Sequence, residues 1–76
     1  MKRKYYQRYA CIARAIKEER QLRGISQEKL ADMIGISKSY ISKIEAPNCD
    51  KTFSLEVLFE IADALKIPLT SLFKYM

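Results

Sequence analysis

Apolar residues recur along this chain at helical spacing, in segments divided by four helix breakers, Gly24, Gly35, Pro47 and Pro68. Tyr5, Tyr9, Ile12 and Ile16 follow i, i+4, i+7, i+11, which is one face of a helix starting near residue 4 or 8 and running to Arg23. Gly24 stops it, because glycine just past a helix end supplies the left-handed cap. Ser26 can cap a short second helix whose Leu30, Ala31 and Ile34 point inward before Gly35 ends it. Only Ile36 and a second capping serine, Ser37, precede a third helix with Ile41 and Ile44 on its buried side.

Residues 46–53 read as a loop. From Phe53 the pattern has two readings. Phe53, Leu55, Val57, Phe59 and Ile61 alternate as in a strand, while Leu55, Leu58, Ala62 and Leu65 recur as in a helix. The helix is favoured, since Ser54 can cap it and a lone strand would have no pairing partner. Pro68 follows, and Thr70 can cap a last short turn carrying Leu72 and Phe73. The expected fold is all-α, a compact bundle of five short helices. Helices two and three, joined by a glycine-containing turn of about three residues, form a helix-turn-helix. Residues 12–76 make up that domain, and residues 1–11 are a basic extension, an arm or the start of helix one.

Composition narrows the function. The chain has 76 residues, 49% apolar and 30% charged, with two glycines and two prolines, which excludes disorder and low-complexity sequence. A domain of this size buries only about 60–65% of the surface its unfolded chain exposes, so a second copy would add to a modest core. The longest uncharged apolar run, Tyr9-Ala10-Cys11-Ile12-Ala13, is too short for a membrane span, and the expected location is the cytoplasm. Histidine is absent and the two cysteines, Cys11 and Cys49, lie far apart. Neither a zinc site nor any other metal or cofactor is expected, and the commonest general base is missing, so the chain does not read as an enzyme. Cys11 reads as a small helix residue and Cys49 as a loop thiol; spacing alone leaves a disulfide open.

The net charge of +5 is unevenly spread. Residues 1–14 hold Lys2, Arg3, Lys4, Arg8 and Arg14 with no acid, whereas residues 15–76 hold nine bases and nine acids. Lys2, Arg3, Lys4 and Arg8 therefore form a candidate arm for phosphate, against the plainer reading of a solvated helix end.

The run from Gly24 to Glu45, with Ala31, Gly35, Ile36, Ile41 and Ile44 in register, resembles the phage-repressor and Cro-type helix-turn-helix domains, the XRE family. The likeness covers roughly residues 12–73. It implies a sequence-specific DNA-binding transcriptional regulator, a small homodimeric repressor that places its third helix in the major groove of a palindromic operator. It further implies that Lys38, Ser39 and Lys43 read base edges. Gln27, Ser37, Tyr40 and Ser42 would meet the DNA backbone, as would Asn48 and Lys51 in the loop. The family's arginine–glutamate pair corresponds to Arg20 and Glu45, an architectural pair. Two departures stand out: Pro47 occupies a position often held by glycine, and the following loop is about two residues longer than the common pattern. Leu69, Phe73 and Tyr75, crowded near the C-terminus, are the expected dimer interface. An alternative use of the same fold is as an antitoxin or other protein-interaction module.

Overall fold

A computed structural model describes residues 4–46 and 53–76. Four α-helices, α1 (Tyr6–Leu22), α2 (Gln27–Ile34), α3 (Lys38–Glu45) and α4 (Leu55–Leu65), are followed by a 3-10 turn, Leu69–Phe73. The described residues contain no strand, so the ambiguous segment after Phe53 is helical. The fifth element is a 3-10 turn, and α1 is the long one at 17 residues.

Serine sets three of the helix starts. The hydroxyl oxygens of Ser26, Ser37 and Ser54 accept hydrogen bonds from the backbone N–H groups of Lys29, Tyr40 and Val57 at 3.0, 3.1 and 3.2 Å. Each satisfies one of the donors that a helix start leaves open. Thr70 was the expected cap of the last turn, but Pro68 takes that position and makes no side-chain cap. Its φ of −67° already suits a turn entry.

The helix ends share one device. After α1, Ile25 N–H bonds Arg20 C=O and Gly24 N–H bonds Gln21 C=O, the paired arrangement that closes a helix through a left-handed residue. Gly35, at φ 76°, does the same for α2, with Ile36 N–H on Ala31 C=O. After α4 the left-handed residue is Lys66, at φ 58°. Ile67 N–H bonds Ala62 C=O at 3.0 Å, so the motif forms with a lysine where glycine is the usual occupant.

One core joins all elements. Ile16, Leu30, Ile41, Ile61, Leu65 and Leu72 are fully buried, each stabilising the fold by about 1.5–3 kcal/mol relative to exposure. Ala31, buried at the crossing of α2 and α3, keeps those helices close. Phe53 closes one end of the core, its ring edge-to-face with Tyr9 at 5.1 Å. The C-terminal segment is fastened back onto α1. Lys74 Nζ lies 2.8 Å from Glu18 and 2.7 Å from Glu19, and the Tyr75 hydroxyl donates to Glu18. Arg23 Nη1 reaches the other Glu19 oxygen at 2.6 Å.

Candidate nucleic-acid interface

The turn between α2 and α3 is only Gly35, Ile36 and Ser37, so the two helices are set by one left-handed residue and one cap. Positions along α3 then sort by the helical period. Ile41 and Ile44 enter the core, and Glu45 is buried. Lys38, Ser39, Ser42 and Lys43 are exposed, and at 3.6 residues per turn they share an arc of about 140°. That face carries two ammonium groups and two hydroxyls and no acid. No carboxylate pairs with Lys38 or Lys43 among the described residues. Ammonium and hydroxyl groups are suited to phosphate oxygens and to the acceptor edges of bases.

Ser37 is exposed, and its oxygen accepts from Tyr40 N–H while its own O–H remains a potential donor. Tyr40 is half-buried and packs partly on the core. Lys4 and Arg8 are exposed at the start of α1, and both lie over the Tyr5 ring, at 5.4 and 5.0 Å from its centroid. Lys2, Arg3, Asn48 and Lys51 lie outside the described residues, as does Cys49; Cys11 is a half-buried free thiol.

Behind α3 sits a buried ion pair. Arg20 of α1 donates from Nε to Glu45 Oε2 at 2.9 Å and from Nη2 to Oε1 at 2.8 Å. The Glu45 hydrogen bonds raise the guanidinium above its already high pKa, outweighing the opposing effect of burial. Arg20 Nη1 also donates to Ile25 C=O at 2.8 Å, so one side chain ties α1, the turn into α2 and the end of α3. Gln27, the first residue of α2, joins the cluster, its Nε2 donating to Glu45 Oε1 at 3.1 Å. This last bond links residues eighteen apart, and nothing in the local pattern signals it. Lys17, a cation that the local pattern does not single out, borders a shallow depression of about 300 Å³ together with Ala13, Arg14, Glu45 and Ala46.

The C-terminal apolar residues divide. Leu69 and Phe73 are half-buried against the core, and Tyr75 is held under Arg14, 4.1 Å from ring centroid to guanidinium carbon. Larger exposure falls on α4 and the chain end: Leu55 is 59% exposed, Phe59 49% and Met76 62%. Leu55, Phe73 and Met76 line one apolar cleft of about 310 Å³ with Tyr5, Tyr9 and Phe53.

An all-helical domain with two short, tightly joined helices, the second presenting cations and hydroxyls outward, is a helix-turn-helix DNA-binding domain. The chain belongs to the helix-turn-helix family HTH_3, whose model matches residues 16–72. It is similar to the restriction-modification controller protein C.AhdI from Aeromonas hydrophila. The two share 30% identity and a TM-score of 0.83 over 93% of this chain and all of that one. An HTH_3 family transcriptional regulator from Vibrio cholerae is 26% identical, with a TM-score of 0.79 over 90% of this chain and 37% of the regulator. No curated protein matches. The chain is thus a DNA-binding regulator of the XRE type, a family of non-enzymatic proteins. No helix among the described residues is long and apolar enough to cross a membrane, and no cluster of acidic, cysteine or histidine side chains there could hold a metal.

Proposed function

We propose that this protein is a cytoplasmic, sequence-specific repressor that binds a palindromic operator as a homodimer, with α3 in the major groove. The observation that carries the reading is the outward face of α3, where Lys38, Ser39, Ser42 and Lys43 stand together without an acidic neighbour on the helix surface. Lys38, Ser39 and Lys43 read base edges; Ser37, Tyr40, Ser42 and Gln27 meet phosphates. Asn48 and Lys51 extend the backbone contact, and Lys2, Arg3, Lys4 and Arg8 add a salt-sensitive grip.

One reading helix covers half a site, so two copies sit on half-sites about 34 Å apart. The dimer surface is centred on Leu55, Phe59 and the exposed parts of Leu69 and Phe73, with Tyr75 at its edge. Exposed apolar area on α4 beside a cleft that contains Phe73 supports this placement. Selection of bound sequences from random duplexes tests the whole reading. Expected is an inverted repeat with half-site centres one helical turn apart. Recovery of a single unrepeated site by a chain that sediments as a monomer would refute the dimer, and recovery of no motif would refute sequence-specific binding. Charged substitution of Leu55 and Phe59 together is expected to abolish the dimer while a single half-site still binds.

A further inference from the structure

We infer that Glu45 is a positioning residue for DNA binding: its carboxylate, held by Arg20, fixes how the Gln27 amide faces a backbone phosphate. The inference rests on the proposed phosphate contact of Gln27 and extends it to a side chain that itself touches no DNA.

The geometry leaves little freedom. The Glu45 side chain is 2% exposed and faces three donors, Arg20 Nε on one oxygen and Arg20 Nη2 and Gln27 Nε2 on the other. A carboxylate paired with a guanidinium is an acceptor only, so the amide nitrogen of Gln27, and not its oxygen, must turn toward it. That nitrogen carries two N–H groups. One is taken by Glu45, and the second diverges from it by about 120°, free to donate elsewhere.

The held amide also stands in a useful place. Gln27 opens α2, where free backbone N–H groups and the positive end of the helix dipole favour an anion. The same Arg20 guanidinium grips Ile25 C=O, two residues earlier, so backbone and side chain at this helix start are registered together. Glu45 is the last residue of α3, so the phosphate donor and the base-reading face share one anchor. A surface glutamine must surrender rotamer freedom when it binds; one already held gives up less.

A double-mutant cycle tests this, using the site selected from random duplexes. Gln27→Ala is measured in wild type and in the Arg20→Met, Glu45→Leu background, where apolar groups replace the pair. Expected is a loss of about 2- to 10-fold in wild type, the range set by the ordering of one side chain. In the apolar background the loss shrinks to less than 2-fold, with base preference unchanged. Equal losses in both backgrounds, or no loss in wild type, would overturn the inference. A second measurement needs only the free wild-type protein: nitrogen relaxation of the Gln27 side-chain amide, with exposed Gln7 and Gln21 as internal references. An ordered Gln27 amide is expected, and one as mobile as Gln7 and Gln21 would overturn the inference without reference to DNA. A wild-type protein that selects no duplex but keeps an ordered Gln27 amide would instead remove the functional reading on which the inference stands.

Discussion

Arg14 and Tyr75 stack, the guanidinium carbon lying 4.1 Å from the ring centroid, and so join the middle of α1 to the C-terminal segment. The contact belongs to a wider clamp in which Glu18 accepts from the Tyr75 hydroxyl and Lys74 spans Glu18 and Glu19. Hydrogen bonds from Lys74 hold both glutamates below the usual carboxylate pKa, and the glutamates hold Lys74 well above the usual lysine value.

The sign of that linkage sets a pH window. A depressed carboxylate contributes stability above its unfolded pKa, near 4.5, and loses it as pH falls through the lower folded value. A raised lysine contributes below its unfolded value of 10.5 and loses that contribution as pH rises beyond it. Lys74→Met is therefore expected to lower the melting temperature at neutral pH, with the difference from wild type shrinking in strong acid. A difference that is constant from pH 7 to pH 2 would show that the clamp acts through packing alone.

The reading face gives a sharper expectation. Lys38→Ala or Lys43→Ala should cost about 1–3 kcal/mol on the selected site and relax the preference at one base position, leaving the melting curve unchanged. Competition binding against single-base variants of the site measures both effects. Unchanged preference in both mutants would move base reading away from this face.

The basic N-terminal residues are better tested by substitution than by deletion. The helix begins at Tyr6, so removing eight residues would also remove its first turn. Replacing Lys2, Arg3, Lys4 and Arg8 by glutamine should flatten the log–log dependence of affinity on salt by up to about 0.9 per lost phosphate contact. An identical slope would return these side chains to simple solvation.

Arg20→Ala leaves Glu45 buried without its main partner and should destabilise the domain by about 3–5 kcal/mol. Arg20→Met with Glu45→Leu should recover much of that loss, since the pair is replaced by apolar groups of similar volume. Chemical denaturation of the three proteins decides it. Equal stability of Arg20→Ala and wild type would contradict the burial of the pair.

The two kinds of left-handed cap predict opposite signs. A Cβ at Gly35 would meet no atom within 4 Å, so Gly35→Ala should cost about 1 kcal/mol through backbone conformation alone. Lys66→Gly relieves the same strain after α4 and should stabilise by about 1 kcal/mol. Thermal melts of the pair, compared under one buffer, test both.

These caps also mark how far the fold could be read from residues. Ser26, Ser37, Ser54 and Gly35 announce themselves, because each is a residue type whose chemistry belongs at a helix end. Lys66 carries no such signal; its left-handed backbone goes with the bond from Ile67 to Ala62 and with the burial of Leu65 before it and the packing of Ile67 on the core after it. Thr70 looked like a cap by type, yet Pro68 sets the turn two residues earlier through its fixed φ. At the interface, the outward set on α3 follows from the helical period, and that much is local information. The hold of Glu45 on Gln27 is tertiary, and so is the grip of Lys74 on Glu18 and Glu19, more than fifty residues away in sequence. Charged residues at such separations look like ordinary solvated surface until the helices are brought together.

Because Leu72 completes the core and Lys74 and Tyr75 fasten it to α1, the first helix cannot finish docking until residues 72–75 have been made. On a translating ribosome, α2 and α3 can meet early and α1 can pack on α3 and α4, but its docking stays incomplete until residues 72–75 join it. Closure of this fold is therefore complete only when residues 72–75 are in place. Nascent fragments ending before Leu72 would be open to proteases and unable to hold the Arg14, Glu18 and Glu19 side of α1 in place. Only chains carried past that point gain the closed domain that can dock on DNA.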